Sequence, residues 1–149
     1  MPNLVFVFSD RQRFDTLSAY GNDYVKAPNL NRLSKESLVF KNTYVTQAVC
    51  APARASIMTG LYPHSAGMPR NRLVMPKDVK SIADMVSDEY TKAYFGKWHL
   101  GNEVASQRGF DEWASGMETL RGEYTEQEYL EMDTSYHHFL IENGYEPDE

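Results

Sequence analysis

The sequence predicts an α/β fold, a mostly parallel sheet flanked by helices. Near the start stands an unbroken apolar run, "LVFVF". Strand-like and helix-like segments then alternate through the first hundred residues. Proline and glycine fall where helices would begin and end, at Pro28, Pro52 and Gly60.

Asn3–Phe8 is expected as a buried parallel strand, because a continuous β-branched and aromatic run has no polar face to show water. Asp10 follows at its C-terminal edge, which is where open α/β sheets bind ligands. In "KAPNLNRLSKES", Pro28 suits the first turn of a helix and Leu30 and Leu33 share one face. "SLVFKNTYV" is expected as a second strand. From Pro52 to about Thr59 a short helix is expected, closed by Gly60, with Cys50 just ahead of its N-terminus. Ile82, Met85, Val86 and Tyr90 mark another amphipathic helix, and "TKAYF" a third strand.

The last 49 residues break this rhythm. They offer no clear strand, only a loop at Arg108–Trp113 and a helix from Glu126 to about Asn143, striped by Tyr129, Met132, Tyr136, Phe139 and Leu140. A stripe of that spacing reads as a packing face. Three strands make a thin sheet, so the chain reads as the first part of something larger. It contains no internal repeat and no low-complexity segment.

With 149 residues, 42% apolar and 24% charged, the composition is that of one globular domain. A single cysteine excludes an internal disulfide framework. No apolar run approaches the roughly 20 residues of a membrane span. "MPNLVFVFSD" lacks a basic n-region and a small-residue cleavage site, so the chain is expected to be unexported and cytoplasmic. The net charge of −6 is uneven: residues 1–100 hold thirteen Lys and Arg against eight Asp and Glu, and residues 101–149 hold two against thirteen. The mildly basic section suits a small anionic ligand, and the acidic tail argues against nucleic acid.

The residues that carry chemistry lie in the basic section. A cysteine at a helix N-terminus feels the positive end of the macrodipole and the nearby N–H groups. Arg54, one turn on, adds a permanent cation and a fork that fits an oxyanion. Taken without context, a lone cysteine at a tight turn is more often a small buried thiol. In "GKWHLG", Lys97 and His99 sit two apart after a strand, and on an extended chain they would face the same side. One could hold an anion and the other transfer a proton near neutral pH.

Cys50-Ala51-Pro52-Ala53-Arg54 followed by "ASIMTG" resembles the sulfatase signature, Cys-x-Pro-x-Arg with a Thr-Gly a few residues later. Further matches fall in the family's order from about residue 3 to residue 113: "NLVFVFSDRQRFDTLSAYGN", "APNLNRLSKESLVFKNTYV", "GLYPHSAGM", "YFGKWHLG" and "RGFDEW". Residues 114–149 are expected to form an acidic helical segment beyond them. The resemblance implies the N-terminal part of an alkaline-phosphatase-like sandwich and hydrolysis of a sulfate ester. It implies that a formylglycine-generating or anaerobic sulfatase-maturing enzyme oxidises Cys50 to formylglycine, whose hydrate supplies the nucleophilic hydroxyl. Asp10 and the residue derived from Cys50 would meet a divalent metal, usually calcium, with magnesium or manganese as alternatives. Arg54 and Lys97 would hold the hydrate and the substrate's anionic oxygens, and His99 would hydrogen-bond the hydrate.

The chain departs from the family pattern in two ways. Many members place an oxygen-bearing side chain after the first metal-binding aspartate; here that residue is Arg11, which has no lone pair to give and repels a divalent ion. Sulfatases are also several hundred residues long, and their later part supplies a second metal-binding pair and the His and Lys near the leaving group. His137 and His138 are adjacent on a helix, point in different directions, and do not replace them. Two other readings stay open: a phosphonate monoester or phosphodiester hydrolase of the same superfamily, and a truncated, non-catalytic chain.

Overall fold

The computed structural model describes residues 2–116 and 127–146. The chain divides into two compact units, Met1–Tyr44 and Val45–Glu149.

In the first unit a helix α1 spans Pro28–Lys35, as expected, with proline in its first turn and Arg32 and Lys35 in its last, where cations suit the negative end of the dipole. Two single 3-10 turns, Phe14–Thr16 and Ser18–Tyr20, precede it. Asn22 organises the connection: its Oδ1 accepts the N–H groups of Tyr24 and Val25 at 2.9 and 3.0 Å, and its Nδ2 donates to the Asp15 carbonyl at 2.7 Å.

Neither expected strand of this region forms. Residues 3–8 have no strand assignment, and Leu4, Val5, Phe6 and Val7 are all well exposed. Residues 37–45 likewise stay irregular, with Leu38 and Tyr44 exposed. A parallel strand exists through the ladder it shares with neighbours, and no neighbour pairs with either run among the described residues. Apolarity alone therefore leaves both runs without a ladder and largely uncovered.

The second unit opens on α2, Cys50–Thr59. The helix starts earlier than expected. Cys50 is its first residue, Val49 is the extended N-cap, and Pro52 lies in the first turn, where its missing N–H costs no helical bond. Gly60 closes it at φ 71°, donating its N–H to the Ser56 carbonyl at 2.9 Å. Ala51, Pro52, Arg54, Ala55 and Met58 are buried, so α2 lies inside this unit.

Helix α3, Ile82–Met85, is one turn long, not the longer amphipathic helix expected up to Tyr90. A capping box starts it: Ser81 Oγ accepts the Ala83 N–H and Asp84 Oδ2 accepts the Ser81 N–H. It stops because Val86 is extended and Ser87 captures the next turn, its Oγ accepting from Glu89 and its carbonyl from Tyr90. Ala83 is the buried residue of this turn, while Ile82 and Met85 are exposed.

The expected third strand is present as β1, Ala93–Phe95. It pairs in parallel with β2, Glu112–Ala114, in the register Ala93↔Glu112, Tyr94↔Trp113 and Phe95↔Ala114. From sequence a loop is expected where β2 begins and no strand beyond it. A three-residue strand that opens on Glu112 directly after Asp111 carries no periodic signal of its own. This pair is the whole of the sheet among the described residues.

The core gathers on the pair. Tyr94 stacks on Trp113 across the register with ring centroids 5.0 Å apart, and Trp98 meets Tyr94 and Trp113 edge-on at 5.1 and 5.3 Å. Trp98, Leu100, Met68 and Met75 are fully buried. The "RGFDEW" loop packs on α3 at Gly109. There φ is 77°, and a Cβ would come within 2.9 Å of the Asp84 backbone nitrogen.

The expected helix from Glu126 to Asn143 is interrupted. Residue 126 lies outside the described residues. Beyond it come a 3-10 turn, Gln127–Tyr129, and then α4, Ser135–Glu142. Thr134 breaks the run by capping α4, its side chain accepting the His137 N–H at 3.2 Å. Tyr136 and Phe139 stack on one another and are half exposed. No helix among the described residues is long and apolar enough to cross a membrane.

Candidate active site

Cys50 is a free, partly exposed thiol in the first turn of α2. The next amide is held by a side chain: Ala51 N–H donates to Asn71 Oδ1 at 3.0 Å, satisfying one of the orphan donors of the helix start. Pro52 brings no N–H, and the Ala53 N–H returns to the Val49 carbonyl at 2.9 Å.

One turn further, Arg54 is 6% exposed. Its Nη1 donates to the carbonyl oxygen of Lys97, and it reaches the Tyr94 hydroxyl at 3.4 Å. Tyr94 also donates its O–H to the Lys97 carbonyl. Burial, with the nearby Glu103 adding to it, pushes the Tyr94 phenol up to about 12 against the opposing pull of Arg54, so the hydroxyl keeps its proton and acts as a donor.

The segment that carries Lys97 and His99 is a turn. β1 ends at Phe95, Gly96 takes φ 104° and His99 φ 60°. Lys97 and His99 are therefore not presented side by side as they would be on an extended chain. A histidine in the left-handed region costs on the order of 1–2 kcal/mol and needs support from its surroundings. Glu103 provides it: the two oxygens of its carboxylate accept the N–H groups of Trp98 at 3.1 Å and His99 at 2.6 Å. Ser115, just after β2, donates its hydroxyl to the same carboxylate, and Trp113 Nε1–H donates to the Glu103 carbonyl at 3.0 Å. Glu103 is 4% exposed. Its burial raises the carboxyl pKa above the ordinary range, while the hydrogen bonds from Ser115, His99 and Trp98 and the charge of Arg54 oppose that rise. On the far side of the turn, the Leu100 carbonyl accepts the Met75 N–H at 2.9 Å.

The peptide from Lys97 to His99 is thus gripped at both polarities, its carbonyl by Arg54 and Tyr94 and its next two amides by Glu103. Lys97 borders a cleft of about 380 Å³ that Ser115, Tyr136 and Phe139 also line. His99 is buried. Sequence reasoning missed Asn71, Tyr94 and Glu103. Only Tyr94 had a signal, an aromatic within a strand; Glu103 in "GNEV" reads as one more surface acid.

Asp10 belongs to the first unit, and the other four expected site residues belong to the second. Its carboxylate lies 3.8 Å from Arg11 Nε, so the guanidinium turns toward it rather than away. Calcium takes about six to eight oxygen ligands. Among the described residues no group of three or more His, Cys, Asp or Glu is placed to hold a metal ion. These residues alone do not fit the ion.

The sulfatase family model matches residues 2–146. The chain belongs to the sulfatase family. Among the relatives it resembles, an ulvan-active sulfatase of Formosa agariphila is 38% identical over 75% of this chain and 24% of its own length. An N-acetylglucosamine-6-O-sulfatase of Bacteroides thetaiotaomicron is 30% identical over 99% of this chain and 25% of its own length. Human arylsulfatase A is 34% identical over 67% of this chain and 21% of its own length. Among solved structures, that of BT4656 in complex with its substrate D-glucosamine-2-N,6-O-disulfate superposes with a TM-score of 0.60 at 32% identity, over 67% of this chain and 20% of that one. The chain therefore spans about a quarter of the length of these sulfatases. The match extends beyond "RGFDEW" through α4.

Proposed function

We propose that this chain carries the nucleophile-bearing part of a sulfuric ester hydrolase, with Cys50 matured to formylglycine by a separate enzyme that reads Cys50-Ala51-Pro52-Ala53-Arg54. The observation that supports this most is the buried link from Arg54 to the Lys97 carbonyl, which joins the helix start bearing Cys50 to the turn bearing Lys97 and His99. When formed, the aldehyde hydrate supplies the hydroxyl that attacks sulfur. Three of this chain's own residues would act beside it. Arg54 adds positive charge behind the helix start, and Lys97 offers its ammonium to an anionic sulfuryl oxygen at the cleft. His99 orients a hydroxyl or takes its proton.

The first substrates to test are carbohydrate sulfate esters, because two of the relatives are an N-acetylglucosamine-6-O-sulfatase and an ulvan-active sulfatase and the superposed structure holds a glucosamine disulfate. A divalent ion, calcium in the first instance, would need oxygen ligands beyond the single carboxylate of Asp10.

Co-expression with a formylglycine-generating enzyme, followed by mass spectrometry of the peptide containing Cys50, tests the proposal. The expected product has one oxygen in place of sulfur and two hydrogens. An unaltered Cys50, when the same enzyme converts a control peptide, would remove the nucleophile and the proposal with it.

A further inference from the structure

We propose that Glu103 is the positioning residue of the Lys97–His99 turn: its buried carboxylate holds the two amides that decide where Lys97 and His99 are presented. For its bearing on anion chemistry, this rests on the sulfatase reading above. Three observations carry it. The two oxygens accept from consecutive backbone N–H groups, Trp98 at 3.1 Å and His99 at 2.6 Å, a fork that fixes two successive peptide planes relative to one another. One of those amides belongs to a histidine held at φ 60°, a conformation that an L side chain seldom keeps without such a tie. Glu103 is itself fastened to β2 and the residue after it, through Trp113 Nε1–H on its carbonyl and the Ser115 hydroxyl on its carboxylate. The turn that follows β1 therefore takes its geometry from the strand beside it.

A carboxylate suits this task and an amide does not. Both of its oxygens are acceptors, whereas glutamine would set an N–H₂ donor against one of the two backbone donors. Glu103→Gln should leave one of the amides of Trp98 and His99 unpaired, and Glu103→Ala should leave both unpaired. An unpaired buried donor carries the cost of its desolvation, so local opening becomes easier.

The test is amide hydrogen exchange by NMR on the full chain, with inorganic sulfate titrated against the Lys97 and His99 resonances. In Glu103→Ala both amides are expected to exchange about tenfold faster, and in Glu103→Gln only one of them, which is the factor that a single hydrogen bond is worth. The Gly96 amide, bonded to the Ala114 carbonyl at 2.7 Å, should keep its protection in both variants. Sulfate should bind about tenfold more weakly to each variant. Unchanged exchange of both amides, or quickening of Gly96 together with them as in general loosening of the fold, would overturn the proposal. If Glu103→Ala does not fold, the single-amide pattern of Glu103→Gln decides it. If the unaltered chain binds no sulfate at these residues, the sulfatase reading falls while the exchange pattern still judges Glu103.

Discussion

Arg54 Nη1 donates to the carbonyl oxygen of Lys97, tying the first turns of α2 to the turn after β1 from inside the core. Both contacts come from Nη1, and a lysine at position 54 has a shorter reach and no guanidinium plane with which to place a donor there. Arg54→Lys is expected to lower stability by about 1–3 kcal/mol, the cost of leaving a buried hydrogen-bonding group unsatisfied. Urea unfolding followed by the fluorescence of Trp98 and Trp113 measures this. In a complete sulfatase built on this segment the same change should greatly reduce turnover, and near-normal turnover would make Arg54 peripheral.

Glu103 predicts a pH dependence of stability. Burial raises its carboxyl pKa in the folded chain, so the folded state binds that proton more tightly than the unfolded state. The contribution is full below the unfolded value, near 4.3, and is lost as pH rises through the raised folded value. Glutamine does not titrate. The difference in melting temperature between the native chain and Glu103→Gln should therefore shift against the native chain as pH rises from about 4. Parallel curves across that window would mean that the carboxyl is not perturbed.

Gly109 tests the packing of the "RGFDEW" loop. Alanine there meets two obstacles, a positive φ of 77° and a Cβ 2.9 Å from the Asp84 backbone nitrogen. Gly109→Ala should cost about 1–3 kcal/mol in chemical denaturation and disturb the capping box of α3 first. Gly21 has φ 91°, but a methyl group added there would meet nothing within 4 Å, so Gly21→Ala should cost less.

Calcium is expected to bind this chain more weakly than about 1 mM, because one carboxylate beside a guanidinium is a poor cage. Titration calorimetry checks it. A micromolar dissociation constant would show that this chain does assemble a metal site.

The exposed run Leu4–Val7 predicts self-association. Replacing Val5 and Val7, 80% and 84% exposed, by lysine should shift the chain toward monomer in sedimentation equilibrium. An unchanged mass would place the sticky surface elsewhere.

Several features were legible in the sequence because they depend on neighbours a few positions away. Proline in the first turns of α1 and α2, glycine closing α2, and the β-branched and aromatic tendency of "TKAYF" are of this kind, and the structure carries each. So is the order of "CAPAR", "GKWHLG" and "RGFDEW", on which the family resemblance rested. What the sequence did not disclose depends on partners far along the chain. Whether "LVFVF" is a strand is decided by whether another strand pairs with it, and apolarity does not report that. β2 is a strand because three residues meet β1 in register, and Trp113 is part of the core because Tyr94 lies opposite it. Arg54 reads as an anion fork in the sequence, yet its Nη1 serves a backbone carbonyl forty-three residues on. Glu103 looks like any surface acid until the chain brings Trp98, His99 and Ser115 around it. Local backbone preference acts through adjacent dihedrals and is written in the string itself; hydrogen bonds and burial act through space, and only the tertiary structure brings their two ends together.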